Sequence, residues 1–299
     1  MSHPKQRHLY SKDLSQPEVS GLLNGGVGPR PIALVSTVNT KGQNNLAPFS
    51  FFNAFGTHPP MVAFSPSRRG RDGTFKDTYH NLMETKECVI QVVTYDMVEQ
   101  VNLTSMEYPA GVDEFKKSGL TPIDSTLVKP KRVQESPYQM ECKLFQIIPL
   151  GNGKGSGNLA ICEVLLFHID ERILKENQVH SEWMDLVGRN GANFYTRASQ
   201  TAMFEVPRIL QPKGIGFDQL PDFVKNDPHL TKNQMARLTL IDKIPSEIDI
   251  RDWAKTFAPL KDPTFSAAVY KAIQNALEKM DLALAWKLLI WNQNPKKYY

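Results

Sequence analysis

The chain has 299 residues, 41% hydrophobic and 22% charged, enough for one large domain or for a domain with a substantial extension. Its net charge of +4 is spread thinly, and the one dense basic cluster, Arg68, Arg69 and Arg71, is short, so a small anion suits it better than a nucleic-acid backbone. The polar start over residues 1–13 carries no secretory pattern, and the apolar run 282–291 is short and broken by Lys287, so the expectation is a cytoplasmic protein that binds neither membrane nor nucleic acid. Cys88, Cys142 and Cys162 are scattered through apolar runs with no CxxC spacing and read as small buried hydrophobes in a reducing compartment.

Residues 1–29 read as an irregular lead-in closing on Gly25, Gly26 and Gly28. From Ile32 to Val38 the β-branched and apolar content predicts a buried strand, followed by turn chemistry over Asn39–Gly42. Extended segments follow at Asn45–Phe52 and, after Pro59-Pro60, at Met61–Ser65. Tyr79, Leu82 and Met83 have helical spacing within Asp77–Lys86, Cys88–Tyr95 is strongly β, and Met97–Ser105 suits a second helix. Two long strands, Gln139–Leu150 and Leu159–Ile169, are joined by a glycine-rich hairpin over Gly151–Gly157. Short strands at close spacing without regular βαβ alternation predict a mainly β fold with added helices, an antiparallel barrel rather than a doubly wound sheet.

After about residue 200 the pattern turns helical. Thr231 with Gln234 forms a capping-box pair, Ser246 with Asp249 a weaker one, and Asp262-Pro263 sets an N-cap before proline. Thr264–Trp291 reads as one long amphipathic helix. The expected organisation is a barrel over 1–200 and a helical C-terminal extension over 201–299.

Metal-ligand spacings, a GxSxG elbow and a P-loop are missing, and the GxGxG of Gly151–Gly157 lies between strands, outside the strand-to-helix setting a dinucleotide site needs. The chemistry gathers in 30–81. Ser36-Thr37 ends a buried strand, Asn45 to Ser50 follows, and Ser65 to Thr78 brings Ser67, Arg68, Arg69, Arg71, Lys76, Asp77 and Thr78 to the start of a helix. Free N–H groups and the positive dipole end at a helix start, flanked by hydroxyls and cations, make an anion cradle. Each piece also has a plain role as strand residue, helix cap or solvated loop. The residues alone therefore lead to a barrel with a phosphate cradle and an unnamed ligand.

The order of these segments resembles the flavin reductase-like, FMN-binding split-barrel family, especially its flavoredoxin-like branch. The matching residues are Arg30-Pro31 through Ser36-Thr37, Gly42, Asn45 through Phe52, Pro59-Pro60, Phe64, Lys76-Asp77-Thr78, Asn81, Glu163-Val164, and Gly188-Arg189 with Gly191 and Tyr195, covering about residues 20–200. The resemblance implies a Greek-key FMN-binding split β-barrel, a homodimer with FMN near the subunit interface. It implies that Ser36, Thr37, Ser50 and Phe51 line the isoalloxazine and ribityl chain with Asn45 nearby. Ser65, Arg68, Lys76, Asp77 and Thr78 would hold the phosphate, and Arg189 and Tyr195 would stand behind the site or at the interface. The electron source would be NAD(P)H or a redox partner protein. The sequence departs from the family's reductases where Gly155-Ser156-Gly157-Asn158 replaces a Gly-Asp-His; His168, later on the following strand, could substitute but reads more readily as a surface or barrel histidine. That departure favours a retained prosthetic FMN over a shuttling one. The leading expectation is an FMN-dependent oxidoreductase, either an NAD(P)H:flavin reductase or an electron carrier. A relative of the pyridoxamine-phosphate oxidases and a non-catalytic flavin- or partner-binding module are the alternatives.

Overall fold

The computed structural model describes residues 5–206, 208–209, 214–256 and 266–298. Two compact units form, Met1–Glu205 and Val206–Tyr299. The first contains the strands β1 (Arg30–Pro31), β2 (Ala33–Val38), β3 (Asn44–Phe49), β4 (Phe52–Thr57), β5 (Pro60–Phe64), β6 (Glu87–Gln91), β7 (Pro122–Ile123), β8 (Arg132–Val133), β9 (Tyr138–Pro149), β10 (Asn158–Ile169), β11 (Leu174–Lys175), β12 (Gln178–Val179), β13 (Val187–Arg189) and β14 (Tyr195–Arg197). Its helices are α1 (Gln16–Gly26), α2 (Asp77–Thr85), α3 (Val98–Leu103) and α4 (Glu114–Ser118).

Seven strands form one antiparallel sheet in the order β3-β2-β6-β9-β10-β5-β4. Hairpins join β2 to β3, β4 to β5 and β9 to β10, whereas β6 inserts between β2 and β9, so the β5–β6 connection is the long return of a Greek key and carries α2. In a flat sheet β3 and β5 would stand about 24 Å apart, at ~4.8 Å per strand. Instead the rings of Phe49 on β3 and Phe64 on β5 lie 5.2 Å apart, which requires the sheet to curl into a barrel. The expected split barrel is therefore what forms.

Alternation along β2 explains the two cores. Ala33 and Val35 join the barrel interior with Phe64, Ile90 and Cys142, while Leu34 turns to the opposite face with Val101 and Phe115 from α3 and α4. Both faces of β2 are buried, as its nearly continuous apolar run predicts. All three cysteines are free and fully buried in the barrel interior.

The structure departs from the sequence expectations in three places. The lead-in is not irregular: α1 forms there, capped by a Ser15/Glu18 box whose spacing was in the sequence. The segment 45–52 is two strands, because the chain turns at Ser50–Phe51. The C-terminal run is two helices rather than one, broken where Met280 adopts φ 56° and Asp281 caps the next helix through Leu284 N–H.

The second unit contains α5 (Asp222–Lys225), α6 (Lys232–Leu238), α7 (Glu247–Thr256), α8 (Ser266–Glu278) and α9 (Leu282–Gln293) around its own core of Leu238, Ile250, Ile273, Trp286 and Leu289. The Thr231/Gln234 and Ser246/Asp249 caps are in place. Asp262-Pro263 lies outside the described residues. Among the described residues no helix is long and apolar enough to cross a membrane, and no cluster of His, Cys, Asp or Glu could hold a metal.

Candidate functional site

Three adjoining hollows form a trough on the first unit. The smallest, about 70 Å³, lies at the start of α2 among Asn45, Arg69, Lys76, Thr78, Glu107 and Glu114. It shares Pro48 and Ser105 with a hollow of about 190 Å³ that also touches Ile32 and Ser50. That one shares Val98, Asn102, Arg189 and Tyr195 with a third, of about 360 Å³, bounded also by Tyr95, Asn193 and Arg197.

The α2 end is built for charge. Lys76 occupies the N-cap of α2, a position where serine, threonine or aspartate usually closes the helix, and its side chain makes no cap bond. The N–H groups of Asp77 and Thr78 find no acceptor among the described residues, as expected of a first turn without a cap. Lys76 is half-buried, with Nζ 5.4 Å from the Phe49 ring, and makes no ion pair among the described residues. Burial lowers its pKa from the ordinary lysine value; the nearby Glu107 carboxylate opposes this and Arg69 adds to it. Partial desolvation of a cation is costly, and an anion in the adjoining hollow would offset that cost.

Behind this hollow is a buried polar cluster. Thr37 and Asn45 stand directly opposite each other in the β2–β3 register. Asn45 Nδ2 donates to Thr78 Oγ1 at 2.9 Å and to Thr37 Oγ1 at 3.3 Å, and Asn81 Nδ2 donates to Thr37 Oγ1 at 3.0 Å. The cluster fixes Asn45 and Thr78 at the hollow's wall. On the outer side, Glu107 is held by Arg71 at 3.3 Å and Arg69 at 3.9 Å, and Arg69 also reaches Asp77 at 3.6 Å. Glu114 completes the wall by accepting the Leu46 N–H at 3.0 Å. Burial pushes its carboxyl above the usual range, the Leu46 N–H opposing.

The ten residues singled out in the sequence divide into groups. Asn45, Lys76, Asp77 and Thr78 meet at the small hollow, with Thr37 directly behind. Ser50 lines the middle hollow, while Phe51 is half exposed beside it, its ring 5.9 Å from the Arg30 guanidinium. Ser36 is turned to the other face of β2, where its hydroxyl donates to the Lys131 carbonyl. Ser65 and Arg68 also lie outside the trough. Ser65 Oγ accepts the Asn158 N–H at 3.1 Å, and Arg68 donates to the Gly73 carbonyl at 3.0 Å beneath the Phe75 ring. Together they fasten the loop that delivers Lys76. Among the polar trough residues that carried no sequence signal are Glu107, Glu114 and Asn102, whereas Arg69 lay inside the basic cluster.

His168 is not among the residues that line the trough. Its Nε2 lies 2.6 Å from Oε1 of the fully buried Glu141, away from the trough. Burial alone would raise Glu141, but N–H donors of Thr126 and Leu127 and the His168 ring hold its carboxyl below the usual range.

Residues 26–188 match the family described as flavin reductase like domain. An uncharacterised protein of Aquifex aeolicus is 40% identical over 59% of this chain and 88% of its own length, and one of Halalkalibacterium halodurans is 35% identical over 68% and 98%. Among solved structures, nitrilotriacetate monooxygenase component B from Bacillus cereus superposes with a TM-score of 0.64 at 29% identity, over 68% of this chain and all of that one. The 2-nitrobenzoate 2-nitroreductase of Pseudomonas fluorescens gives 0.61 at 28% identity, over 70% and 100%.

Proposed function

This chain belongs to the flavin reductase-like domain family, and on that premise we propose that it is an oxidoreductase that retains FMN in the trough, its phosphate held at the α2 end. The observation that carries the reading is Lys76: a half-buried cation that makes no ion pair among the described residues, at an uncapped helix start, facing a hollow of about 70 Å³. A terminal phosphate monoester would pair with Lys76, and the N–H groups of Asp77 and Thr78 and the Asn45–Thr78 pair would supply donors. The small size of this hollow favours FMN over a dinucleotide flavin.

Bound FMN supplies hydride or electron chemistry, and the protein orients it and sets its electrostatics. Lys76 neutralises the phosphate, Thr37, Asn45 and Asn81 keep that end rigid, and Pro48 and Ser50 continue the wall toward the open end of the trough. NAD(P)H or a redox partner protein is the electron source. The pairing of His168 with Glu141 leaves no histidine at the position the family's reductases use, which supports a retained prosthetic group. Three free, buried cysteines suit a reducing cytoplasm. Exposed Phe145 on β9 and Phe55 on β4 are apolar side chains suited to contact with a second copy of the chain.

The test is anaerobic addition of NADH and NADPH to the flavin-loaded protein. Rapid bleaching of the bound flavin identifies a reductase and its donor; persistence of the oxidised spectrum identifies a carrier reduced by another protein. Rapid exchange of the flavin into bulk solution during turnover would overturn the prosthetic reading.

A further inference from the structure

At the far end of the trough, a three-stranded sheet in the order β1-β13-β14 sets three side chains in line. Arg30 stands directly opposite Arg189, and Arg189 directly opposite Tyr195. Like charges facing each other across a strand pair destabilise it. Neither arginine has a compensating carboxylate among the described residues. Arg30 is 6% exposed and donates to the carbonyls of Asn24, Val27 and Asn190 and, at 3.4 Å, to Ser50 Oγ. Arg189 donates to the Ala192 carbonyl at 2.6 Å and lies 4.6 Å from the centre of the Tyr195 ring. Burial and the neighbouring Arg189 lower the Arg30 pKa, which marks the same unrelieved repulsion. The third arginine here, Arg197, is different: Asp185 pairs with it at 2.7 Å.

Arg189 and Tyr195 line both the middle hollow and the hollow of about 360 Å³, with Asn102 between them. A guanidinium offers five N–H donors in a planar fork matched to an oxyanion, and here one nitrogen donates to the Ala192 carbonyl. The adjoining aromatic ring suits a flat guest.

We propose that Arg189, reinforced by the field of Arg30 and walled by Tyr195 and Asn102, is a second anion subsite that receives the acidic group of a planar co-substrate. The shared chemistry is an oxyanion carried near a flat ring, as in an aromatic carboxylate or a nicotinamide nucleotide. Calling the guest a co-substrate rests on the FMN reading; the subsite itself does not, because it is tested on flavin-free protein.

The experiment is calorimetric and thermal-shift titration of the flavin-free full chain with benzoate, NADH and inorganic phosphate, for wild type, Arg189→Gln and Arg189→Lys. Wild type binds benzoate or NADH, and whichever binds names the source of the anion. Arg189→Gln weakens that binding at least tenfold while leaving the melting temperature of the empty protein equal or higher, because it removes the opposed charge. Arg189→Lys, which keeps the charge and loses the fork, falls between. The inference is overturned if neither benzoate nor NADH binds wild type better than inorganic phosphate does, if both variants bind like wild type, or if Arg189→Gln lowers the melting temperature. A separate titration with FMN distinguishes the two claims: FMN binding lost with Lys76→Ala but not with Arg189→Gln leaves the cofactor reading standing whatever happens at Arg189.

Discussion

Replacing Lys76 by alanine together with Thr78→Ala is expected to weaken FMN retention about 10- to 100-fold, the range for losing charge-assisted hydrogen bonds, with little change in fold. Equilibrium dialysis against FMN measures it, and unchanged occupancy would remove the phosphate assignment. The pH dependence follows from the same side chain. Burial puts the pKa of Lys76 in the empty folded protein below its ordinary value of 10.5. In the window between the two, the unfolded chain binds more protons, so the stability of the empty protein rises with pH there. FMN affinity moves the opposite way, declining as pH rises through the lowered pKa and the attractive charge is lost. Lys76→Arg keeps its charge through that window, so its alkaline decline in affinity should vanish; a decline identical to wild type would place the titrating group elsewhere.

Much of the site was legible in the sequence because its parts are local. Lys76, Asp77 and Thr78 are consecutive at a helix start, and Thr37 meets Asn45 across a short hairpin. What was not legible came from distant segments: Glu107 and Glu114 reach the hollow through α3 and α4 and the turns around them, and no spacing rule links them to Lys76. Ser36 and Ser65 lie away from the trough, because alternation along β2 turns Ser36 to the opposite face and loop contacts hold Ser65 against Asn158. Among elements, the β1–β13 pair depends on close approach. A Cβ on Gly188 would lie 2.8 Å from Pro29 Cβ, and one on Gly191 would lie 3.0 Å from the Gly25 Cα at the end of α1. Gly188→Ala is therefore expected to push β1 from β13 and displace Arg30 from Ser50. Hydrogen exchange at Arg30 and Arg189 should accelerate, while exchange in β9 and β10 stays slow; equal protection in the variant would show that the strands tolerate the side chain.

At the scale of the molecule, the barrel and the helical unit each bury a core of their own, and we propose that they are separate domains. Truncation after Glu205 should leave a soluble, cooperatively melting protein that still retains flavin. Trp286, fully buried with Nε1 donating to the Leu238 carbonyl at 2.9 Å, anchors the other unit. Trp286→Ala should destabilise that unit by about 3–5 kcal/mol and leave flavin occupancy unchanged. Loss of flavin in either variant would tie the two units together functionally. We propose that the exposed Phe145 meets a second copy of the chain; Phe145→Lys should then lower the mass seen in light scattering, and an unchanged mass would remove that contact.

The measurement that bears most directly on the whole account is the visible absorbance spectrum of the purified full chain, before and after incubation with FMN and desalting. The account predicts a flavin spectrum at near one equivalent per chain, with FMN as the nucleotide released on denaturation. A colourless protein after FMN incubation would contradict it and leave a curled β-barrel whose half-buried Lys76 awaits a different anion.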